Sequence, residues 1–94
     1  MQECTRDKRR ILSSAFAEVV KSFRTKTGKT ITQISNEIDL SKTIWADVEN
    51  AIGDLQFSTF WRIIEALNIS HETFISELKK NLPKDFSFSD DFKL

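Results

Sequence analysis

Backbone breakers are nearly missing from this chain. Its 94 residues hold two glycines, Gly28 and Gly53, and one proline, Pro83, and so few interruptions favour helices. A single cysteine, Cys4, excludes an internal disulfide and points to a cytoplasmic setting. One histidine, His71, beside one cysteine gives no paired spacing for a metal. No glycine-rich phosphate loop is present either, so no cofactor, no metal, no catalytic residue and no enzymatic activity are expected. No apolar run reaches the roughly 18 residues that a membrane span needs, and the first residues lack the apolar segment of a signal peptide. Net charge is also absent, with 14 Lys and Arg against 14 Asp and Glu, which excludes the strongest non-specific polyanion binders. What remains is an ordinary soluble balance, 39% apolar and 30% charged, in a length that fits one domain.

The charge that is there is unevenly placed. Residues 1–30 carry eight bases against three acids, residues 31–70 carry Lys42 and Arg62 against six acids, and residues 71–94 carry four bases against five acids. Attraction to a polyanion must come mainly from the first third.

Apolar spacing predicts five helices. Ile11, Leu12, Ala15, Phe16, Val19, Val20 and Phe23 recur every three or four residues, one stripe on a helix over about 6–26, with Gly28 placed to end it. Thr30 and Gln33 have capping-box spacing, so a short helix is expected over about 31–38. Ser41 caps a third over about 42–50, with Trp45 and Val48 inward. A loop at 51–56 leads to a fourth helix over about 57–67. Ser70 caps a fifth over about 71–81, and Pro83 stops it. The chain therefore reads as an all-α, compact five-helix domain over 11–82, with a basic N-terminal arm at 1–10 and a tail at 83–94. His71 is expected to be exposed in the first turn of its helix. In the tail, Phe86-Ser87-Phe88-Ser89 alternates with a period of two, the pattern of an extended segment.

Two short helices joined by three residues suggest a helix-turn-helix. From Thr30 to Ser70 the chain resembles the lambda-repressor-like family, the Cro, phage-repressor and Xre type. Thr30 stands where that family caps its second helix. Ile34-Ser35 matches its Leu-Ala pair, Ile38-Asp39-Leu40-Ser41 its Leu-Gly-Val-Ser, and Val48-Glu49-Asn50 its Ile-Glu-Asn. Residues 60–70 follow its Leu-Leu-Lys-Leu-Ala-Glu-Ala-Leu-Gly-Val-Ser without a gap. Arg24 and Glu49 occupy the positions where family members join the first helix to the end of the recognition helix, a structural ion pair.

The resemblance implies a sequence-specific, double-stranded-DNA-binding transcriptional regulator, of repressor or antitoxin type, using the helix at about 42–50 as recognition helix. Its base-reading positions fall on Lys42, Thr43 and Ile44, with Asp47 one turn later, and Thr30 lies at the start of the preceding helix. Ile31 replaces the family's phosphate-contacting Gln, and Ala51-Ile52-Gly53-Asp54-Leu55-Gln56 carries no base where the family's loop is basic. With Asp47 and Glu49 against Lys42, phosphate attraction along this helix is weak. The arm, Arg6, Lys8, Arg9 and Arg10, reads either as a compensating DNA contact of the kind the family uses or as a solvated helix start. Asp39 replaces the turn glycine and is among the residues that tolerate a left-handed backbone.

One such helix pair reads only a few base pairs, so two copies at matched half-sites, a homodimer, are expected. Helix five and the tail, with Phe74, Ile75, Leu78, Phe86, Phe88 and Phe92, are its natural contacts, and in an antitoxin the tail binds a toxin. The alternative is a protein-interaction module that keeps the fold and has lost DNA binding. It draws on Ile31, Ile44, Ile52 and Leu55, apolar residues near the expected DNA face.

Overall fold

The computed structural model describes the backbone of residues 2–88 and the side chains of residues 6–88. Five α-helices follow in order, α1 Gln2–Thr27, α2 Ile31–Glu37, α3 Lys42–Glu49, α4 Phe57–Ala66 and α5 His71–Lys80, and no strand occurs among the described residues. The all-α class expected from the apolar spacing is the class observed. Residues 2–10, read from sequence as an arm, continue α1 backward as helix. No helix among the described residues is long and apolar enough to cross a membrane.

Polar caps set the helix starts. The Thr30 hydroxyl accepts from the Gln33 amide at 3.1 Å while the Gln33 side chain accepts from the Thr30 amide at 2.9 Å, which satisfies two otherwise unpaired donors. Ser41 accepts from the Thr43 amide at 3.1 Å and Ser70 from the Thr73 amide at 3.0 Å.

The ends of α1 to α4 share one device, a residue with positive φ at or just past the cap. Gly28 has φ 77°, Asp39 φ 53°, Ala51 φ 58° and Asn68 φ 61°. After α2, the Leu40 amide donates to the Ser35 carbonyl and the Asp39 amide to the Asn36 carbonyl. After α3, the Ile52 amide donates to Asp47 and the Ala51 amide to Val48. Both are the paired bonds of a left-handed helix stop, a place that favours glycine. Ala51 has no such freedom and no side-chain hydrogen bond to offset the strain. Ala51→Gly is therefore expected to raise stability by about 0.5–1 kcal/mol, after subtracting the greater freedom of glycine in the unfolded chain. The check is a higher urea midpoint at unchanged slope.

The core draws on every helix: Ala15, Val19 and Val20 of α1, Ile34 of α2, Trp45 and Val48 of α3, Ile63 and Ile64 of α4, and Phe74 and Leu78 of α5. Phe74 sits among three other rings, with centroids 5.1 Å from Phe16, 6.3 Å from Phe23 and 6.2 Å from Phe60. This corrects one expectation. Phe74 and Leu78 are buried inside the protomer, because α5 must cover α1 and α4, and they are not free to form a dimer contact. Ile75 stays exposed.

The tail also departs from its alternating pattern. The Phe86 amide donates to the Pro83 carbonyl at 3.1 Å and Asp85 has φ 63°, so 83–86 is a tight turn. Phe86 and Phe88 then meet edge to face, centroids 5.7 Å apart. Phe92 and the rest of 89–94, like the side chain of Cys4, lie outside the described residues.

Candidate nucleic-acid interface

The α2–turn–α3 unit is held from behind by three contacts. Ser35 is fully buried, and its hydroxyl donates back to the Ile31 carbonyl at 2.7 Å, which lets a small polar side chain sit inside the core. Arg62 of α4 donates to the Ile38 carbonyl and, at 3.4 Å, to the Asp39 carbonyl. It thereby satisfies acceptors that the end of α2 leaves open.

The third contact is an ion pair. Arg24 donates through Nε to Glu49 Oε2 at 2.5 Å and through Nη2 to Oε1 at 3.0 Å, the two-pronged geometry in which guanidinium and carboxylate fix each other's orientation. Its Nη1 donates to the Lys29 carbonyl at 2.9 Å, and the Trp45 indole donates to Glu49 Oε2 at 2.7 Å. The side chains are 16% and 5% exposed. The bond to Glu49 raises the Arg24 pKa above its ordinary value, burial opposes this, and charge attraction adds to it. The carboxylate thus ties α1 to both ends of a turn of α3, and Arg24 carries the tie on to the segment entering α2.

With its inner face committed, α3 turns its first residues outward. Lys42, Thr43 and Ile44 are exposed, and Asp47 is half-buried one turn on. These four lie on one run of α3, while Trp45 and Val48 point to the core. Thr30 is exposed at the N-terminus of α2, with its hydroxyl engaged in the cap. Lys29, next to it, is paired with Glu37 at 2.8 Å.

The residues of the basic arm come together elsewhere. Arg6, Arg9 and Arg10 line one notch of about 200 Å³ with Ser13, Ala51, Gly53 and Asp54, and Arg9 lies 3.7 Å from the Asp54 carboxylate. The loop after α3 carries no base of its own, but α1 brings three arginines beside it. This is a proximity that spacing along the chain does not reveal. Of the four apolar residues near this face, Ile31 and Leu55 pack against the core. Ile44 and Ile52 remain exposed, so the apolar patch is half of what was expected.

Two features escaped sequence reasoning. Arg62 looks like any solvated base on a helix, and only the fold shows its reach to the α2–α3 turn. The outer side of α4 and α5 carries a row of rings: Phe57 and Trp61, centroids 6.2 Å apart, and His71 stacked on Trp61 at 3.7 Å, with Ile75 one turn beyond His71. Phe57, Trp61 and Ile75 are exposed. His71, expected to be exposed, is half-buried, and its Nε2 is enclosed without a hydrogen-bond partner among the described residues. The i, i+4 spacing of 57 with 61 and of 71 with 75 was the available signal. No group of three or more His, Cys, Asp or Glu among the described residues is arranged to hold a metal ion.

No family model and no curated protein matches the chain. Among solved structures, the crystal structure of the wild-type restriction-modification controller protein C.Esp1396I is similar, with a TM-score of 0.70 and 24% sequence identity, covering 74% of this chain and 91% of that chain. At that identity the likeness is one of fold. The five-helix fold expected from the apolar spacing, with two short helices and a tight turn at α2 and α3, is the fold this chain has and shares with that structure.

Proposed function

We propose that this chain is a DNA-binding transcriptional regulator, of repressor or antitoxin type, that inserts α3 into the major groove of double-stranded DNA. The observation that carries the reading is the division of α3 into two faces. Trp45, Val48 and Glu49 anchor it to the core, and Lys42, Thr43 and Ile44 are left exposed at its N-terminal end. An α-helix fits the major groove, and an exposed first turn is the part that meets base edges. Lys42 reaches guanine acceptors or phosphate, Thr43 bonds a base or packs on a thymine methyl, Ile44 packs on the same methyl, and Asp47 accepts from cytosine N4. Phosphate neutralisation supplies much of the affinity. In this reading it comes from Arg6, Arg9 and Arg10 beside the 51–54 loop, and Thr30 contributes its place at the α2 N-terminus.

Two copies are needed to read a site of useful length. With Phe74 and Leu78 inside the protomer, the row Phe57, Trp61 and Ile75 is the face we assign to the homodimer, since an exposed apolar row of this kind marks an interaction surface. In the antitoxin form, a toxin binds the tail through Phe86 and Phe88.

Lys42→Ala and Thr43→Ala are each expected to weaken binding to the preferred sequence by about 1–3 kcal/mol while leaving random-sequence binding nearly unchanged. Arg6→Ala with Arg10→Ala should weaken all sequences alike and flatten the salt dependence. Sequences selected from random duplex DNA, followed by titration at several salt concentrations, decide this. The exposed Ile44 and Ile52 favour one other reading, a protein-interaction module. Absence of any gel shift with duplex DNA at low salt would establish that one instead.

A further inference from the structure

An apolar groove of about 520 Å³ lies between α1, the loop after α3 and α4, inside the range of about 300–1,000 Å³ that small-molecule sites occupy. Its wall includes Leu12 and Phe16 of α1, Ile52 and Leu55 of the loop, and Phe57 and Phe60 of α4. The rings adjoin one another, with centroids 5.6 Å apart for Phe16 and Phe60 and 5.9 Å apart for Phe57 and Phe60. Among the described residues, Asp54 is the one charged side chain in this wall.

The groove is continuous with the notch that holds Arg6, Arg9 and Arg10, since Ser13, Ala51, Gly53 and Asp54 line both. The junction is open: a methyl group added at Gly53 would meet no atom of a non-neighbouring residue within 4 Å. The notch sets three guanidiniums against one carboxylate, Asp54. Arg9 lies 3.7 Å from that carboxylate and both side chains are exposed, so the pair is weak and open to exchange. Apolar walls take an alkyl chain, and a guanidinium fork matches a carboxylate. A DNA phosphate satisfies the arginines and leaves the groove empty, and a neutral apolar molecule does the reverse. An amphipathic anion satisfies both.

We propose that the groove and the notch form one site for a small amphipathic anion, an unbranched alkyl carboxylate of medium length. Its chain lies along Leu12, Phe16, Leu55 and Phe60, and its head group rests on Arg6, Arg9 and Arg10 in exchange with Asp54. The bound head group occupies the arginines assigned above to DNA phosphate, so the ligand releases DNA. This last consequence rests on the DNA-binding reading, and the site itself does not.

The test titrates the 15N-labelled full chain with sodium decanoate below its micelle concentration. Amide shifts are expected at Ser13, Ala51, Gly53 and Leu55, and not at His71 or Ile75, which do not line the groove. Shortening the chain to octanoate should weaken binding by about threefold per methylene removed. At low salt, 1-decanol should bind about tenfold more weakly than decanoate or worse, because it lacks the charge. That margin should shrink as salt rises and close in a chain carrying Arg9→Gln and Arg10→Gln. Asp54→Asn should tighten decanoate, as a competing carboxylate leaves the arginines. Ile52 is 60% exposed, so Ile52→Ser leaves folding intact and should weaken decanoate and decanol alike. Equal binding of decanol and decanoate, or shifts at His71 and Ile75 as large as those in the groove, overturns the proposal in favour of an unselective apolar surface. Affinity that falls as protein concentration rises overturns it too, since a second copy then covers the groove. Separately, saturating decanoate is expected to weaken binding to random-sequence duplex by about threefold to tenfold at low salt, and unchanged binding overturns that consequence alone. If the chain binds no duplex, the DNA-binding reading fails while the titration still decides the site.

Discussion

Glu49→Ala is expected to cost about 3–5 kcal/mol of folding stability, because it breaks a largely buried pair and leaves the partner charge behind. The Glu49 carboxylate receives Arg24 Nε at 2.5 Å, Arg24 Nη2 at 3.0 Å and the Trp45 indole at 2.7 Å. Its removal orphans a guanidinium that is 16% exposed and an indole N–H on a fully buried side chain. A domain of this length loses roughly 4–8 °C in melting temperature per kcal/mol, so the transition should fall by more than about 12 °C. Arg24→Ala should be of similar size, since the carboxylate then keeps only the indole. The double variant should cost clearly less than the two single costs added together, the signature of residues that act as one unit. Arg24→Lys is expected to restore little, because a point charge cannot make the two parallel bonds or reach the Lys29 carbonyl with a third. Thermal melts of the four chains decide this. Costs that simply add would mean that the pair is not the unit described.

Phe74→Ala should be nearly as damaging, at about 3–5 kcal/mol, the usual cost of emptying a buried ring site. Phe74 is fully buried and touches three rings from α1 and α4, so no single neighbour can shift to fill the space. The adjacent residue is the control. Ile75 is 37% exposed, and Ile75→Asp should leave the melting temperature within a few degrees while lowering the mass in solution if the Phe57–Trp61–Ile75 row joins two copies. Melting curves and light scattering on both variants separate core from interface. If Phe74→Ala changed mass but not stability, the assignment of α5 would be reversed.

Much of the architecture was legible in the residues because it is decided locally. Apolar spacing set the number of helices and their faces. Thr30, Ser41 and Ser70 marked three of the starts within a residue, since a cap is a bond between near neighbours in the chain. Asp39 could be read as the left-handed turn because few residues adopt that backbone readily. The facing of Arg24 and Glu49 was legible only through resemblance to a known family, since 25 residues separate them.

What the tertiary structure alone decided concerns which residues meet. Spacing puts Phe57, Phe74 and Leu78 on apolar faces alike, yet the packing of α5 across α1 and α4 buries the last two and leaves the first exposed. Periodicity gives the phase of a helix, and only its neighbours determine which part of the stripe is covered. In the same way Ile31 and Leu55 were absorbed into the core from a face read as exposed. Arg62 found carbonyls 23 and 24 residues away, and Arg9 reached Asp54. Ala51 took a left-handed conformation that its side chain gives no reason to adopt, because the paired bonds ending α3 demand it. Long side chains and helix stops answer to the space around them, and that space exists only once the five helices have packed.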